Sequence, residues 1–512
     1  MTPSSQETLA PSPRPLGELV ARIGEHRLDG DRETVIDEIT FDSREVRPGH
    51  LFVALRGGDA DGHDYIDAAL ARGAAAVLLD RDCDLPVSRI VVPDARAALS
   101  PVAAAFFDDP SHALAVVGIT GTDGKTTTAH LVDGLLRDLG VRTGLIGTVA
   151  VRIGDHLDLH ASRQTTPESV DVQRYLWRMV AAGVRVATIE ATSHGLALHR
   201  LDDVRFRVGA VTNVTSEHLD YHGTVEDYRA AKGRLFTSVR AAGGMAVINL
   251  DDGGARAMLP FSAGARTLTY ARADSTADLR AINVVMSASG SSFTLALDGE
   301  SVPGQLPLVG GFNIDNALAA VGTCVALGHS LEAVAGALAR VEPVPGRLAR
   351  VDLGQPFDVI VDYAHTPESL SKILTLLRGL NPGGRLIVVF GSAGERDVSK
   401  RPVQGAVSAR LADVSVVTTE DPRHEDPDEI IRQIAAGAAA AGARAGTSLF
   451  SITDRMVAVD HAIGLAQPGD TVLLAGKGHE GSIIAGTTKH SWDERGAAEL
   501  ALRRRGWGAI DG

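Results

Sequence analysis

Short apolar runs alternate with alanine-rich stretches along most of the chain. Buried strands of a parallel sheet form such continuous apolar runs, and the stretches between them are long enough for helices. The pattern therefore predicts an α/β protein whose sheets are covered by helices. The predicted strands are AAAVLL (74–79), ALAVVGI (113–119), RVATIEA (185–191), AVINL (246–250), DVIVDYA (358–364), RLIVVFG (385–391) and TVLLAG (471–476).

Two breaks in this pattern predict a division into three domains, at 1–110, 111–343 and 344–512. The first is DDPSHA (108–113), and the second is VEPVPGR (341–347), where two prolines and a glycine interrupt a helical stretch. In the central domain, SFTLAL and its neighbours within 265–310 predict a small antiparallel excursion from a parallel sheet. The first residues, MTPSSQETLAPSPRP, predict a disordered tail.

Composition narrows the possible function classes. The net charge of −14 opposes general nucleic-acid binding, because it does not offset phosphate repulsion. The two cysteines, Cys83 and Cys324, are far apart and lack metal-site spacing, which fits a reducing cytoplasm. No apolar segment resembles a signal peptide or approaches the ~20 residues of a membrane span. We expect a cytoplasmic protein; the sequence does not determine its oligomeric state, for which a monomer is the working expectation.

The segment AVVGITGTDGKTTTAHL (115–131) predicts a strand, a glycine-rich turn and a helix. Such a turn binds phosphate through backbone N–H groups and the helix N-terminus, and a lysine adds positive charge. It departs from the strict P-loop pattern because Ile119 occupies the first glycine position. A surface turn with a chance lysine is the alternative. The predicted ATP-binding residues are Thr120, Gly121, Thr122, Asp123, Gly124, Lys125, Thr126 and Thr127, with the Thr126 hydroxyl on Mg²⁺.

GITGTDGKTTT resembles the ATP loop of the Mur ligases, which form amide bonds in peptidoglycan precursor synthesis. The resemblance extends over nearly the whole chain. FDSREVRPGHLFVALRGGDADGHDYIDAALARGAAAVL (41–78) is similar to the N-terminal domain of MurE-type ligases, which holds the UDP part of UDP-N-acetylmuramoyl-L-Ala-D-Glu. This implies that Phe41, Ser43, Gly58, Asp59 and Ala60 contact the nucleotide sugar. Taken alone, Asp42-Ser43 favours a helix cap or turn.

The resemblance implies further sites in the central domain. QTTPES (164–169) and IEATSHGLALHR (189–200) match segments that bind the dipeptide substrate and a metal ion. Glu190, at a strand end beside the nucleotide, would hold Mg²⁺ directly or through water. Gln164 and Leu198 replace the Asn and Gln that are usual in the family. The implied substrate contacts are Thr165, Thr166, Ser193 and Arg200.

TNVTSEHLDYHGTVEDYRAAKGRLF (212–236) matches a segment that supplies a metal-binding histidine, here His218, and a carbamylated lysine, here Lys232. A carbamate would place an anion on a long arm, suited to approach Mg²⁺. From spacing alone, Lys232 would instead be a surface lysine on an alanine-rich helix. GGFNIDNALAA (310–320) matches the adenosine segment, so Asn313 and Asn316 are implied in ATP binding. The alternative is that these asparagines only cap a helix.

The C-terminal part resembles the Rossmann-like domain that binds the incoming amino acid. Arg347 would help to bind ATP, and Arg396 would bind a carboxylate of the amino acid. In the specificity motif, Arg423 suits the extra carboxylate of meso-diaminopimelate, whereas Asp421 suits the distal ammonium of L-lysine or L-ornithine. We favour diaminopimelate and keep both alternatives. The implied amino-acid contacts are Arg396, Glu420, Asp421, Pro422, Arg423, Gly476 and Glu480.

The resemblance therefore implies an ATP-dependent acid–amino-acid ligase with ATP, Mg²⁺ and small-molecule substrates. Lys125, Lys232, Glu190 and His218 would carry the catalytic roles, and Thr126, Glu190, His218 and the Lys232 carbamate would hold the metal. One alternative is a folate-polyglutamate type ligase, which lacks the N-terminal block. Another is a non-catalytic nucleotide-sugar-binding or regulatory protein derived from a ligase, and a third is a plain P-loop ATPase. ATP turnover that depends on the dipeptide substrate would separate an enzyme from a binding protein.

Overall fold

A computed structural model describes residues 10–57, 60–159, 164–215, 217, 219–287 and 290–508. The chain divides into two compact units. Unit 1 comprises Met1–Val284, Ser292–Leu306 and Gly311–Val341, and unit 2 comprises Val285–Ser291, Pro307–Gly310 and Glu342–Gly512. The change from unit 1 to unit 2 at Val341–Glu342 falls in the proline-rich break seen in the sequence.

The N-terminal part of unit 1 is a small α/β sheet with strand order β2-β7-β6-β5-β4. Strands β4 to β7 pair in parallel, and β2 is antiparallel to β7. The strands are β1 (Arg14–Pro15), β2 (Arg27–Asp29), β3 (Val35–Ile36), β4 (Glu38–Thr40), β5 (His50–Val53), β6 (Ala76–Leu79) and β7 (Ser88–Val91). The helices are α1 (Leu16–Val20), α2 (Ile66–Ala71) and α3 (Ala95–Phe106). Leu16, Leu51, Leu78 and Phe106 belong to the core between α1, α3 and the sheet.

The central part of the chain is built on a long sheet of order β11-β10-β9-β12-β8-β13-β14-β15-β16-β17-β18. The strands are β8 (Ala115–Thr120), β9 (Thr143–Ile146), β10 (Ala150–Ile153), β11 (His156–Leu159), β12 (Val186–Glu190), β13 (Phe206–Val211), β14 (Met245–Asn249), β15 (Arg266–Ala271), β16 (Leu279–Ser287), β17 (Gly290–Leu297) and β18 (Glu300–Leu306). The helices are α4 (Lys125–Asp138), α5 (Ser169–Ala181), α6 (Ser193–Ala197), α7 (Leu219–His222), α8 (Val225–Ala241), α9 (Gly253–Arg256), α10 (Gly311–Ala326) and α11 (Leu331–Leu338).

The parallel set of this sheet runs from β9 through β12, β8, β13 and β14 to β15. Because β15 also pairs in parallel with β16, the predicted change of sheet character starts later than residue 265. At the opposite edge, β9, β10 and β11 form an antiparallel meander that the sequence pattern did not indicate. The carboxyl ends of β8 and β12 lie side by side, which brings the following loops together.

Unit 2 contains a second sheet of order β19-β20-β24-β21-β22-β23, parallel except for β19. Its strands are β19 (Ala349–Val351), β20 (Asp358–Asp362), β21 (Leu386–Phe390), β22 (Val414–Val417), β23 (Leu449–Ser451) and β24 (Thr471–Ala475), followed by the hairpin β25 (Ser482–Ala485) and β26 (Thr488–Ser491). The helices are α12 (Pro367–Leu380), α13 (Lys400–Leu411), α14 (Pro427–Ala440), α15 (Arg455–Leu465) and α16 (Glu494–Arg503). Buried residues of β20, β21 and β24 pack against helices on both faces.

Each apolar run predicted as a strand overlaps one, and the α/β class with mostly parallel sheets is confirmed. These runs are buried on both faces, so they lack the alternation of a half-exposed strand. In the part of the chain that the structure describes, the helices are too short or too polar to cross a membrane. The predicted limit near residue 110 lies inside unit 1 and stays a prediction.

Candidate active site

The glycine-rich loop joins the end of β8 at Thr120 to the start of α4 at Lys125. Gly121 and Gly124 have φ values of +152° and +82°, which favour glycine. A Cβ on Gly121 would lie 1.9 Å from Thr212 Oγ1, and one on Gly124 would lie 2.2 Å from Asn316 Oδ1. The loop therefore depends on both glycines, and it presents the N-terminus of a long helix, which favours anions.

Two lysine side chains converge on this loop. Lys125 Nζ donates hydrogen bonds to the carbonyl oxygens of Gly121 (2.8 Å) and Thr122 (2.7 Å). Lys232 Nζ, from α8, donates to the same Gly121 oxygen at 2.7 Å and lies 4.6 Å from the centroid of the Tyr228 ring. Lys232 is only 1% exposed, so the surface-lysine alternative is wrong. Burial, and then the charge of Lys125, hold the pKa of Lys232 well below its ordinary value.

Glu190, at the end of β12, is fully buried beside the loop. Its Oε2 accepts hydrogen bonds from the hydroxyls of Thr126 (2.8 Å) and Thr148 (3.0 Å), and its Oε1 accepts one from the Thr148 N–H (2.9 Å). The structure thus joins the predicted carboxylate to the predicted hydroxyl. Thr148 was missed, although it follows β9 in the sequence IGT, a glycine-containing turn at the same sheet edge.

Carboxylate and hydroxyl oxygens, such as those of Glu190 and Thr126, are the ligands that Mg²⁺ prefers. A cluster of three or more His, Cys, Asp or Glu suited to a metal is not found among the residues that the structure describes. His218, the remaining predicted metal ligand, lies outside those residues. The described donors that fit Mg²⁺ are therefore the Glu190 carboxylate and the Thr126 hydroxyl.

The predicted dipeptide-binding residues lie next to Glu190. Thr165 Oγ1 lies 3.0 Å from Thr148 Oγ1, within hydrogen-bond distance, and Thr166 Oγ1 donates to the carbonyl of Glu190 (2.7 Å). Arg200 Nη1 donates to the carbonyl of Thr166 at 2.9 Å. Ser193 is buried at the first position of α6, directly after Thr192, which contacts Thr166.

A buried carboxylate in this region, Glu168, was missed by the sequence analysis. It accepts hydrogen bonds from Arg200 Nη2 (2.7 Å) and, with both oxygens, from Arg96 Nη1 (2.9 and 3.0 Å). Arg96 belongs to α3 of the N-terminal sheet and also donates to the carbonyl of Arg56. Glu168 therefore connects the N-terminal sheet to a predicted substrate arginine.

The two asparagines predicted near adenosine lie inside α10, which begins at Gly311, so neither caps this helix. Both are buried, and Asn316 Nδ2 donates to Asn313 Oδ1 at 3.3 Å. Asn316 also accepts a 3.5 Å hydrogen bond from Thr128 of α4. The structure thus places Asn316 against the glycine-rich loop between β8 and α4.

The predicted nucleotide-sugar residues lie in the N-terminal part of unit 1. Phe41 packs against the core, and Ser43 is buried. Asp42 accepts a hydrogen bond from the Arg44 N–H at 2.9 Å, so the turn interpretation of this segment is supported. The Ala60 carbonyl accepts from the Gly57 N–H. Gly58 and Asp59 lie outside the described residues.

The predicted amino-acid residues all lie in unit 2, where a buried lysine links two of them. Lys477 Nζ donates to Asp421 Oδ1 (2.9 Å) and to Glu480 Oε2 (2.6 Å), and its side chain has no exposed surface. Asp421 Oδ1 also accepts from the Ile484 N–H at 2.9 Å. Lys477 was not among the predicted site residues, although it lies between Gly476 and Gly478 in the motif AGKGHE.

Glu420 and Arg423 lie on either side of Asp421 in the loop after β22. Glu420 is buried, burial raises its pKa, and its Oε2 has no hydrogen-bond partner among the described residues. Arg423 Nε is likewise buried without a partner within the described ranges, and Arg423 has a left-handed φ of 53°. Pro422 lies between them and is buried.

The two remaining predicted arginines also lie in unit 2. Arg396 is exposed in the loop after β21. The Arg347 guanidinium lies 4.6 Å from the centroid of the Tyr363 ring, and the Tyr363 hydroxyl donates to Glu480 Oε1 at 3.3 Å. Unit 2 thus contains a set of fixed positive and negative groups, as a zwitterionic ligand requires.

Comparison with known proteins identifies the class to which this architecture belongs. Three family profiles match: "Mur ligase family, catalytic domain" over residues 35–115, "Mur ligase middle domain" over 119–324 and "Mur ligase, glutamate ligase domain" over 346–478. The chain belongs to the Mur ligase family and is an ATP-dependent ligase.

Within that family, the similarity is to enzymes of the MurE type. The chain is 47% identical to the UDP-N-acetylmuramyl-tripeptide synthetase of a Roseiflexus species, covering 92% of this chain and 95% of that protein. It is 43% identical to the UDP-N-acetylmuramoyl-L-alanyl-D-glutamate–2,6-diaminopimelate ligase of Geobacillus kaustophilus, covering 91% and 95%. A solved structure of a ligase with that second name superposes with a TM-score of 0.67 at 30% identity, covering 97% of this chain and all of that one.

Proposed function

We propose that this ligase adds a diamino acid, meso-diaminopimelate, to UDP-N-acetylmuramoyl-L-Ala-D-Glu. The observation that carries the proposal is the convergence of Lys125 and Lys232 on the Gly121 carbonyl, beside a Glu190 bonded to Thr126. Lys125 and the N-terminus of α4 place positive charge where a transferred phosphoryl group needs it, and Lys232 lies beside them. The names of the relatives support the two acceptor substrates.

In this proposal, the loop from Thr120 to Thr127 binds the triphosphate of ATP through its N–H groups and Lys125. Thr126 and Glu190 would hold Mg²⁺, with His218 as a further ligand. The ion, when bound, neutralises charge on the phosphate oxygens. Asn313 and Asn316 bind the adenosine part, and Arg347 is a further proposed ATP-binding residue.

Lys232 is proposed to act as a carbamate. Its buried environment favours the neutral amine, which is the form that attacks CO₂. A new N–C bond forms, the nitrogen loses a proton, and the product is an N-carboxylate. That anion would lie beside the Lys125 ammonium, so its charge would be favourable there.

The acceptor is proposed to bind across the N-terminal and central parts of unit 1. Phe41, Ser43 and the turn Gly58–Ala60 would hold the UDP-sugar. The dipeptide would be held by Thr165, Thr166, Ser193 and Arg200. The γ-phosphoryl group moves from ATP to the free D-Glu side-chain carboxylate and gives ADP and an acyl phosphate. The amine then attacks the acyl carbon, phosphate leaves, and the amine nitrogen loses a proton.

For the amine, the structure offers two arginines as carboxylate partners. Arg423 has a buried, unpartnered Nε, and Arg396 is exposed in the loop after β21. Guanidinium groups suit carboxylates, and diaminopimelate has one more carboxylate than lysine or ornithine. The rest of the pocket would be formed by Glu420, Asp421, Pro422, Gly476 and Glu480.

We further propose that the protein acts in the cytoplasm as a monomer, without nucleic acid.

The test is phosphate release by the purified chain with MgATP, the UDP-linked dipeptide and one amine at a time. We expect release with meso-diaminopimelate and much less with L-lysine or L-ornithine. Release with L-lysine or L-ornithine in place of diaminopimelate would refute the amine assignment. Release with none of the three, by a folded protein that binds the UDP-linked dipeptide, would favour the binding-protein alternative.

A further inference from the structure

We propose that Lys477 sets the amine preference by cancelling the charge of Asp421. With that charge cancelled, the pocket in unit 2 does not select a distal ammonium. The inference rests on the proposed function, because it concerns the same amino-acid pocket. It resolves the conflict that the sequence posed between Asp421 and Arg423.

Asp421 is held by two hydrogen-bond donors. Its Oδ1 receives both the Lys477 ammonium at 2.9 Å and the Ile484 N–H at 2.9 Å. Lys477 has no exposed side-chain surface and Asp421 is 13% exposed at its side chain, so water screens this pair little and the ammonium has little freedom to leave. An incoming ammonium would therefore meet a carboxylate whose charge is already balanced.

Lys477, Asp421 and Glu480 form a cluster of one ammonium and two carboxylates. Lys477 Nζ also lies 2.6 Å from Glu480 Oε2. We assign the ammonium to Asp421, the less exposed carboxylate, which leaves the uncompensated charge on Glu480. The cluster retains one negative charge, which suffices for a single ammonium of the ligand. Without Lys477, two uncompensated carboxylates would favour an amino acid that has a bare ammonium at its distal end.

Arg423 can bind a carboxylate of the ligand. The Arg423 N–H donates to the Ile484 carbonyl at 3.0 Å, and the Ile484 N–H donates to Asp421. Both residues are thus fixed against strand β25, while Arg423 Nε is buried without a hydrogen-bond partner in the described part of the chain. The pocket therefore presents a cation from Arg423 and no net charge from Asp421 and Lys477, a combination that suits a distal carboxylate.

The experiment measures kcat/KM for meso-diaminopimelate and for L-lysine in the phosphate-release assay. Four full-length proteins are compared: the natural chain, Lys477→Met, Asp421→Asn and the double variant. Lys489→Met, on the exposed strand β26, is the matched lysine control. Circular dichroism and thermal melting establish that each variant is folded.

We expect Lys477→Met to lower the ratio of diaminopimelate to lysine by about tenfold or more, and Asp421→Asn to leave that ratio within about threefold. The double variant should return to the natural ratio, and Lys489→Met should not move it. If Asp421→Asn raised the ratio about tenfold, Asp421 would be visible to the amine and the inference would be wrong. A folded Lys477→Met protein with an unchanged ratio would also overturn it.

Failure of the proposed function is distinguishable from failure of this inference. If the natural chain released no phosphate with either amine, the proposed function would fail. The same proteins would then be compared by calorimetric binding of the two amino acids, with the same pattern of ratios expected. If Lys477→Met alone did not fold, Asp421→Asn would decide the question.

Discussion

Glu168 offers the sharpest test of how the N-terminal and central parts of unit 1 are joined. Its carboxylate, in a residue only 8% exposed, accepts hydrogen bonds from Arg96 and Arg200. Glu168→Ala would remove the anion between two guanidinium groups. Glu168→Gln would keep an oxygen acceptor and the side-chain size, but would lose the charge.

The expected loss of stability in Glu168→Ala follows from the burial of its ion pairs with Arg96 and Arg200. Removing one partner of a buried ion pair costs about 3–5 kcal/mol, because the other charge is left uncompensated. Arg96 is 19% exposed at its side chain and Arg200 is 9% exposed, so water can solvate Arg96 in part. We therefore expect Glu168→Ala to lower the free energy of unfolding by about 3 kcal/mol, the low end of that range. With about 2–4 °C per kcal/mol for a domain of 150–250 residues, the melting temperature should fall by about 6 °C or more.

The assay is thermal melting combined with steady-state kinetics. Glu168→Gln should lose less stability than Glu168→Ala. In both variants the KM for the UDP-linked dipeptide should rise, because Arg200 loses the group that orients it. The control is Asp138→Ala, which removes an ion pair with Arg340 at the surface and should cost less than about 1 kcal/mol.

If Glu168→Ala melted within about 2 °C of the natural protein, less than 1 kcal/mol would be involved. The ion-pair network would then contribute no more than the surface pair, and the reasoning from burial would be refuted. A lower melting temperature with an unchanged KM would instead limit Glu168 to a structural role.

Lys125, Lys232 and the two cysteines each provide a further test. Lys125→Ala should reduce phosphate release about 100-fold or more while the melting temperature changes little, and near-normal release would contradict the role of the loop. Lys232→Ala should be inactive and partly rescued by short carboxylic acids, whereas a failure of rescue would argue against the carbamate. Iodoacetamide should label Cys83 but not Cys324 in the native protein, because Cys83 is exposed and burial raises the pKa of Cys324 to about 12. A mass spectrum with native labelling of Cys324 would contradict this burial.

Much of the site could be predicted from short segments of sequence. The loop around Lys125 combines a strand, two conformationally required glycines and a helix start within a dozen or so residues, so local chemistry defines it. Glu190 was predicted for a similar reason, as a carboxylate at a strand end. The antiparallel meander of β9 to β11 was not predicted, because these short strands lack a strong alternating pattern.

Other contacts depend on residues far apart in the chain. Lys232 and Gly121 are separated by 111 positions, and Arg96 and Glu168 by 72. Spacing alone favoured a surface position for Lys232, whereas in the folded chain it is 1% exposed and contacts the distant Gly121 carbonyl. Glu168 carried no local signal, since a glutamate before a helix is ordinary.

The fold class, the glycine-rich loop and the segments proposed to supply the amino-acid pocket could all be predicted from short stretches of sequence. Periodicity and glycine chemistry act over a few residues, so they can be read without a structure. Which charges are balanced depends on contacts that form only in the folded chain. Asp421 and Arg423 remain an unresolved pair in the sequence, because the lysine that pairs with Asp421 lies 56 positions further along and meets it only when the sheet of unit 2 has formed.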